Sequence, residues 1–242
     1  YDALEDDVLP QLRKATIIIR SYQPKRTDEE IATLSTTTPE ELDVKELLFS
    51  ATLTSDEITQ TTIYNKAVEL HNDWRGYNNI ACMYLAKGNF SEAMTYLEKA
   101  EELGGVNSDV LTNKGIIAAR KGQLSKAQKL FNDANTTENN QAVLDVRQGE
   151  YTKAARFYKN GKSFNATLAQ LLNGKNSAKC NENTAACNYL NAIANARSGN
   201  NDAAISSLTN AINTDVSYKS EAVKDLEFVN LRTNETFIAI TK

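Results

Sequence analysis

The chain has 242 residues, 41% of them hydrophobic, with only three prolines and a net charge of −4. An acidic balance, pI 5.3, lacks the basic footprint of a general nucleic-acid binder, and no apolar run approaches the ~20 residues that a membrane-crossing helix needs. The length suits one large domain, or a helical array with a small attached element.

The chain begins at Tyr1 rather than Met, as expected of a processed product or a cut fragment. Residues 2–14 place Leu4, Val8, Leu9 and Leu12 at helical spacing, interrupted by Pro10. Residues 15–22 contain a β-branched run and read as a strand. One strand cannot satisfy its own backbone, so residues 1–35 are expected to end a preceding domain or to dock on the array. Thr27 and Glu30 stand at capping-box spacing for a short helix.

Pro39 suits the first turn of a helix over residues 40–53, with Leu42, Leu47, Leu48 and Ala51 on one side. A second helix, capped by Ser55 or Asp56 and reaching about residue 70, completes a hairpin without a glycine turn.

Beyond it one short pattern recurs: K-G-N-F-S (87–91), K-G-Q-L-S (121–125), Q-G-E-Y-T (148–152), N-G-K-N-S (173–177) and S-G-N-N-D (198–202). Glycine ends a helix in the left-handed conformation without a Cβ penalty, and the Ser, Thr or Asp three residues later is expected to cap the next helix. The five glycines lie 34, 27, 25 and 25 residues apart. A period of this size predicts stacked helical hairpins. The third unit is expected to have a short first helix and the fourth a poor second one. Residues 222–237 are expected to form a terminal helix, with Val223, Leu226 and Leu231 covering the last unit.

Residues Tyr77, Ile80, Ala81, Tyr84, Gly88, Phe90, Ala93, Leu97 and Ala100 resemble the tetratricopeptide repeat signature. Leu111, Lys114, Gly115, Ala118, Gly122, Leu124, Ala127, Phe131 and Ala134 repeat it 34 positions later, Lys114 alone replacing an expected leucine. The resemblance implies an all-α, right-handed tetratricopeptide-type helical-hairpin solenoid, here with a short mixed α/β N-terminal segment. Residues 1–38 would be that segment and 39–242 the solenoid. It also implies that the first helix of each unit lines a groove holding a protein or peptide. Arg75, Asn78, Asn79 and Cys82 fall there from one unit, and Asp109, Thr112, Asn113 and Ile116 from the next. Ala186, Tyr189, Leu190 and Arg197 follow from the fifth. A clamp for a terminal carboxylate would need further basic and amide residues. Phe49 and Asp109 stand where the family has Asn and Lys.

Cys180 and Cys187 flank a six-residue loop and can close a small disulfide, or remain two free thiols; Cys82, on a helix among small residues, reads as packing. No Cys-x-x-Cys pair accompanies the single histidine, His71, so neither a metal nor another cofactor is expected. Gly161-Lys162-Ser163 has the tail of a phosphate-binding loop, but Arg156 stands where its first glycine belongs. No catalytic constellation emerges.

The segments V-L-P-Q-L-R-K (8–14), T-D-E-E-I (27–31), E-L-L-F-S-A-T-L (46–53), D-W-R-G-Y-N-N (73–79) and S-F-N-A-T-L-A (163–169) are similar to the C-terminal repeat region of Bacteroidetes envelope proteins associated with outer-membrane-protein-A-like domains. That resemblance implies export to the cell envelope, in the periplasm or at the outer membrane. The expected role is a non-catalytic scaffold. A spacer between envelope domains is the alternative, and a glycan- or peptide-processing enzyme a third reading.

Overall fold

The computed structural model describes residues 25–242 apart from 137 and 160. The helix expected over 2–14 and the strand over 15–22 lie outside the described residues. All regular elements among the described residues are helical. The chain divides into two compact units, one ending at Leu70 and one beginning at His71.

In the first unit, α1 (Asp28–Thr37) opens with the expected capping box. Thr27 N–H donates to the Glu30 carboxylate at 2.7 Å, and Glu30 N–H donates to the Thr27 hydroxyl at 3.2 Å. The single helix expected over 40–53 is in fact three pieces: a 3-10 turn at Pro39–Glu41, α2 (Val44–Ser50), and a second 3-10 turn at Ala51–Leu53. Asp43 causes the break. Its carboxylate accepts from the N–H groups of Lys45 (2.7 Å) and Glu46 (2.9 Å), a cap that restarts the helix with Leu42 extended before it. Leu42 thereby enters the core with Ile31, Leu47, Ala51, Ile63 and Ala67. Helix α3 (Glu57–His71) comes next, without a glycine turn. The Gln60 side-chain amide closes that connection, donating to the carbonyls of Ala51 (3.1 Å) and Thr54 (2.8 Å).

The second unit is built from helical hairpins. Helices α4 (Trp74–Ala86) and α5 (Phe90–Gly104) form the first pair, α6 (Ser108–Arg120) and α7 (Leu124–Ala134) the second, α8 (Glu138–Gln148) and α9 (Tyr151–Tyr158) the third. Helix α10 (Phe164–Leu172) stands without a second helix; α11 (Ala185–Arg197) and α12 (Asn201–Thr214) make the last pair.

The glycine turns are the most regular part of this unit. Gly88 has φ of +75°, where a Cβ would be strained. Its N–H donates to the Leu85 carbonyl at 3.1 Å and the following Asn89 N–H to the Tyr84 carbonyl at 2.9 Å, satisfying two orphan carbonyls of the helix end. The same bond pair recurs at Gly122, Gly149, Gly174 and Gly199. The expected caps, however, are misplaced. Helices α5, α7, α9 and α12 already begin two residues after the glycine, so Ser91, Ser125, Thr152 and Asp202 lie within the first turn. Their flanking residues Asn89, Gln123, Glu150 and Asn200 make no side-chain capping bond. Side-chain caps instead open α4 (Asp73), α6 (Asn107), α10 (Ser163) and α11 (Thr184). A hairpin entered through a fixed glycine turn has its direction set by that turn; one entered through a loop needs the cap.

Small and large residues interlock across each pair. Ala81, Ala93, Ala127, Ala154, Ala192 and Ala204 are all fully buried. Position 115, equivalent to Ala81, is glycine because the residue equivalent to Leu97 is the larger Phe131. A Cβ built on Gly115 would lie 2.6 Å from Phe131 Cδ1. Lys114, the departure from the repeat pattern, lays its stem into the helix packing and puts Nζ 2.6 Å from the Glu101 carboxylate, its side chain 14% exposed.

Two expectations about the irregular units are corrected. The third unit's first helix is of ordinary length at 11 residues; its second, α9, is the short one at eight. It stops where Lys159 takes φ of +46°. The terminal helix expected over 222–237 is instead α13 (Tyr218–Lys224), a 3-10 segment at Leu226–Leu231, and α14 (Glu235–Thr241). Asp225 and Asn234 are extended; each caps the helical segment after it, which breaks a continuous helix. Val223 and Leu226 consequently face solvent, and Ala222, Phe228, Leu231 and Phe237 cover Ala192, Ala204 and Leu208.

Candidate functional site

The first-helix residues chosen as groove contacts do not form a uniform open row. Asn113 on α6 donates through Nδ2 to Asn78 Oδ1 on α4 at 2.9 Å, and to the Cys82 sulfur at 3.3 Å. Asn78 is 8% exposed, so its amide belongs to the packing between adjacent helices. Thr112 donates to the Thr136 hydroxyl at 3.2 Å. Arg75 forks onto Asp73, Nε to Oδ1 and Nη2 to Oδ2 both at 2.8 Å. The Arg75 hydrogen bonds hold the Asp73 carboxyl below the ordinary carboxylate range, against the opposing effect of burial. Asn79 is half-buried and makes no side-chain hydrogen bond among the described residues; Asp109 is exposed. Cys82 is an exposed residue rather than a packing one. Its sulfur is enclosed enough that desolvation pushes the thiol up, with the Asn113 bond acting against it and the Asp109 charge adding to it.

At the fifth unit, the polar groups of the first helix are already engaged. Tyr189 donates its hydroxyl to Asp225 at 2.9 Å, and desolvation with that bond holds the phenol far above its ordinary range. Arg197 grips Glu227 with Nε at 2.8 Å and Nη2 at 2.5 Å, and reaches the Leu171 carbonyl at 3.0 Å. These side chains fasten the C-terminal segment.

Cys180 and Cys187 are joined as a disulfide with Cα atoms 5.4 Å apart. It closes the loop that replaces the missing helix after α10. Asn191 holds the same loop, donating to the Cys180 carbonyl (2.9 Å) and accepting from its N–H (2.8 Å). The two sulfurs and a Glu182 carboxylate oxygen lie within 4.8 Å of one another. A cystine offers no thiolate, so the oxidised trio is not a metal-ligand set.

A concavity missed by sequence reasoning lies between α6, α8, α9 and α10, with a volume near 520 Å³. Its apolar wall includes Ile116, Val143, Leu144, Phe164 and Leu168. A polar contact borders it: Tyr158 on α9 donates to Asn139 Oδ1 on α8 at 2.9 Å, and Asn165 on α10 lines the same cleft. Desolvation pushes the Tyr158 phenol up, and the Asn165 amide opposes this. Arg120 and Arg147, in the last turns of α6 and α8, complete the lining. The only sequence signal for this cleft was the irregularity of the third and fourth units.

Stacked antiparallel helix pairs joined by glycine turns define this unit as a helical-repeat structure. The tetratricopeptide repeat family matches residues 75–103, which take in nearly all of α4 and α5 and the Gly88 turn between them. A repeat of this kind is in general a protein-interaction module. No curated protein matches the chain. No helix among the described residues is long and apolar enough to cross a membrane.

Proposed function

We propose that the chain is a non-catalytic scaffold that holds a protein or peptide on the face formed by its first helices. The cleft between α6, α8, α9 and α10 carries this reading. It offers an apolar wall, amide and hydroxyl groups, and two guanidinium groups, a set suited to orienting a ligand rather than moving protons. Asn79 and Asp109 continue the polar surface along the preceding helices.

The test is site-specific cross-linking. A benzophenone side chain at Asn79 or Asn139 is expected to capture a partner that the same group at Lys99, on the opposite helix α5, does not. Equal capture from every position, or none from any, favours the spacer alternative.

Export to a cell envelope belongs to the same proposal, supported by the Cys180–Cys187 disulfide, which persists in oxidising compartments. Fractionation of the native host, probed for the oxidised chain, reads this directly. The limits of the scaffold, residues 39–242 after a separate segment 1–38, are proposed likewise. Limited proteolysis distinguishes that boundary from a cut at residues 70–71, which the shared core of α1, α2 and α3 favours.

A further inference from the structure

The cleft between α6, α8, α9 and α10 exists because the repeat pattern fails there. Helix α9 is only eight residues long, and α10 is followed by the disulfide-closed loop instead of a second helix. A solenoid normally covers each unit's apolar face with the next. Here the core around Phe131 and Leu144 and the core around Leu171 and Leu190 are separate clusters. Between them Ile116, Val143, Phe164 and Leu168 are left half-buried along the cleft wall.

The electrostatics of this opening run against the chain as a whole. The protein carries a net charge of −4, yet the described residues lining the cleft include Arg120 and Arg147 and no carboxylate. Both arginines are exposed, and neither makes an ion pair among the described residues. Helix C-termini carry partial negative charge, which accounts for a cation there, but it leaves the fork-shaped donor face of each guanidinium available for a carboxylate. The Tyr158–Asn139 hydrogen bond joins α9 to α8 on the polar side of the cleft, which Asn165 of α10 also lines.

Resting on the scaffold reading, we infer that this cleft takes an acidic peptide segment: a bulky apolar pair on the Ile116–Val143–Leu168 wall, with carboxylates on either side of it paired to Arg120 and Arg147. Apolar burial anchors the segment, and the two charges select its sign and register.

Fluorescence anisotropy on the full chain tests this with a labelled peptide, Asp-Glu-Asp-Leu-Phe-Asp-Glu. Three controls accompany it: the same peptide with Lys at every acidic position, the same peptide with Ser replacing Leu-Phe, and heptaglutamate. The acidic apolar peptide is expected to bind and the three controls to bind at least about tenfold more weakly. The double variant Arg120→Glu/Arg147→Glu, checked by circular dichroism for retained helicity, is expected to weaken binding by about tenfold or more. Raising the salt should weaken wild-type binding as well. Unchanged affinity in the double variant, or equal binding of the Lys peptide, overturns the acidic assignment. Equal binding of heptaglutamate overturns the apolar anchor. If the peptide fails while Asn79 and Asn139 still cross-link a partner, this inference falls and the scaffold stands; failure of both removes both.

Discussion

The Asn113 side-chain amide on α6 donates 2.9 Å to the Asn78 Oδ1 on α4, and this one bond ties the first helices of two successive hairpins. Asn78 is 8% exposed, so its side chain has little access to water as an alternative partner. A residue type that reads as ligand-binding therefore has a structural role here.

Asn113→Ala should accordingly lower the stability of the second unit by about 1–3 kcal/mol, the cost of stranding a buried acceptor. Asn79→Ala, which breaks no hydrogen bond among the described residues, should stay within about 0.5 kcal/mol of wild type. Urea unfolding of both variants separates the two roles. Equal, small losses would show that the Asn113–Asn78 bond contributes nothing, and would return both residues to the groove surface.

Gly115→Ala should destabilise the α6–α7 hairpin by about 1–3 kcal/mol, the usual cost of overpacking. Phe131 is 4% exposed and cannot swing away from a Cβ placed 2.6 Å from its ring. The double variant Gly115→Ala/Phe131→Leu restores the pairing that Ala81 and Leu97 use one unit earlier. It should recover part of the loss in thermal unfolding. A double variant no better than the sum of its parts would rule out this small-for-large exchange.

Reducing the Cys180–Cys187 disulfide, or replacing both residues by Ser, should cost about 2 kcal/mol, the loop-closure value for so short a ring. The loop 181–184 should then become the first site of proteolysis, since it lies ahead of α11 and holds no helix. Denaturant unfolding with and without reductant, together with mapping of the first cut, checks both parts. No change in midpoint would mean that the Asn191 bonds alone fix the loop.

Acid should weaken the second unit through two forks. Asp73 is held below its ordinary pKa by the Arg75 hydrogen bonds, and Glu227 by those of Arg197. A carboxyl whose folded pKa is depressed stabilises the fold above its unfolded pKa and loses that contribution as pH falls through the folded value. Stability should therefore be level near neutrality and fall below about pH 4. In Asp73→Asn and Glu227→Gln the neutral-pH stability should be lower and the acid slope shallower. An unchanged slope in both variants would show that other carboxylates govern acid unfolding.

Much of the helix order was legible because its signals are local. Gly88 and its four counterparts need a left-handed φ that few other residues tolerate, and Thr27 with Glu30 satisfies neighbouring backbone groups within one turn. The buried alanines followed from period alone. The groove assignment was less legible, because a side chain's partner is set by which helix packs beside it. Asn78 and Asn113 are 35 residues apart, Arg197 and Glu227 30 apart, and nothing at either position names the other.

Where most chain segments turn and which faces are buried follow from local signals, since helix caps, glycine turns and apolar period act over a few residues. That Asp43 restarts a helix to bury Leu42, that Lys114 meets Glu101, and that short α9 and the lone α10 leave a cleft lined by Arg120 and Arg147 depend instead on how distant segments pack. The difference is one of range. A helix end is fixed by its own dihedral angles and nearest donors, whereas a cleft is the space that several helices fail to fill together, and its chemistry depends on every side chain that borders it.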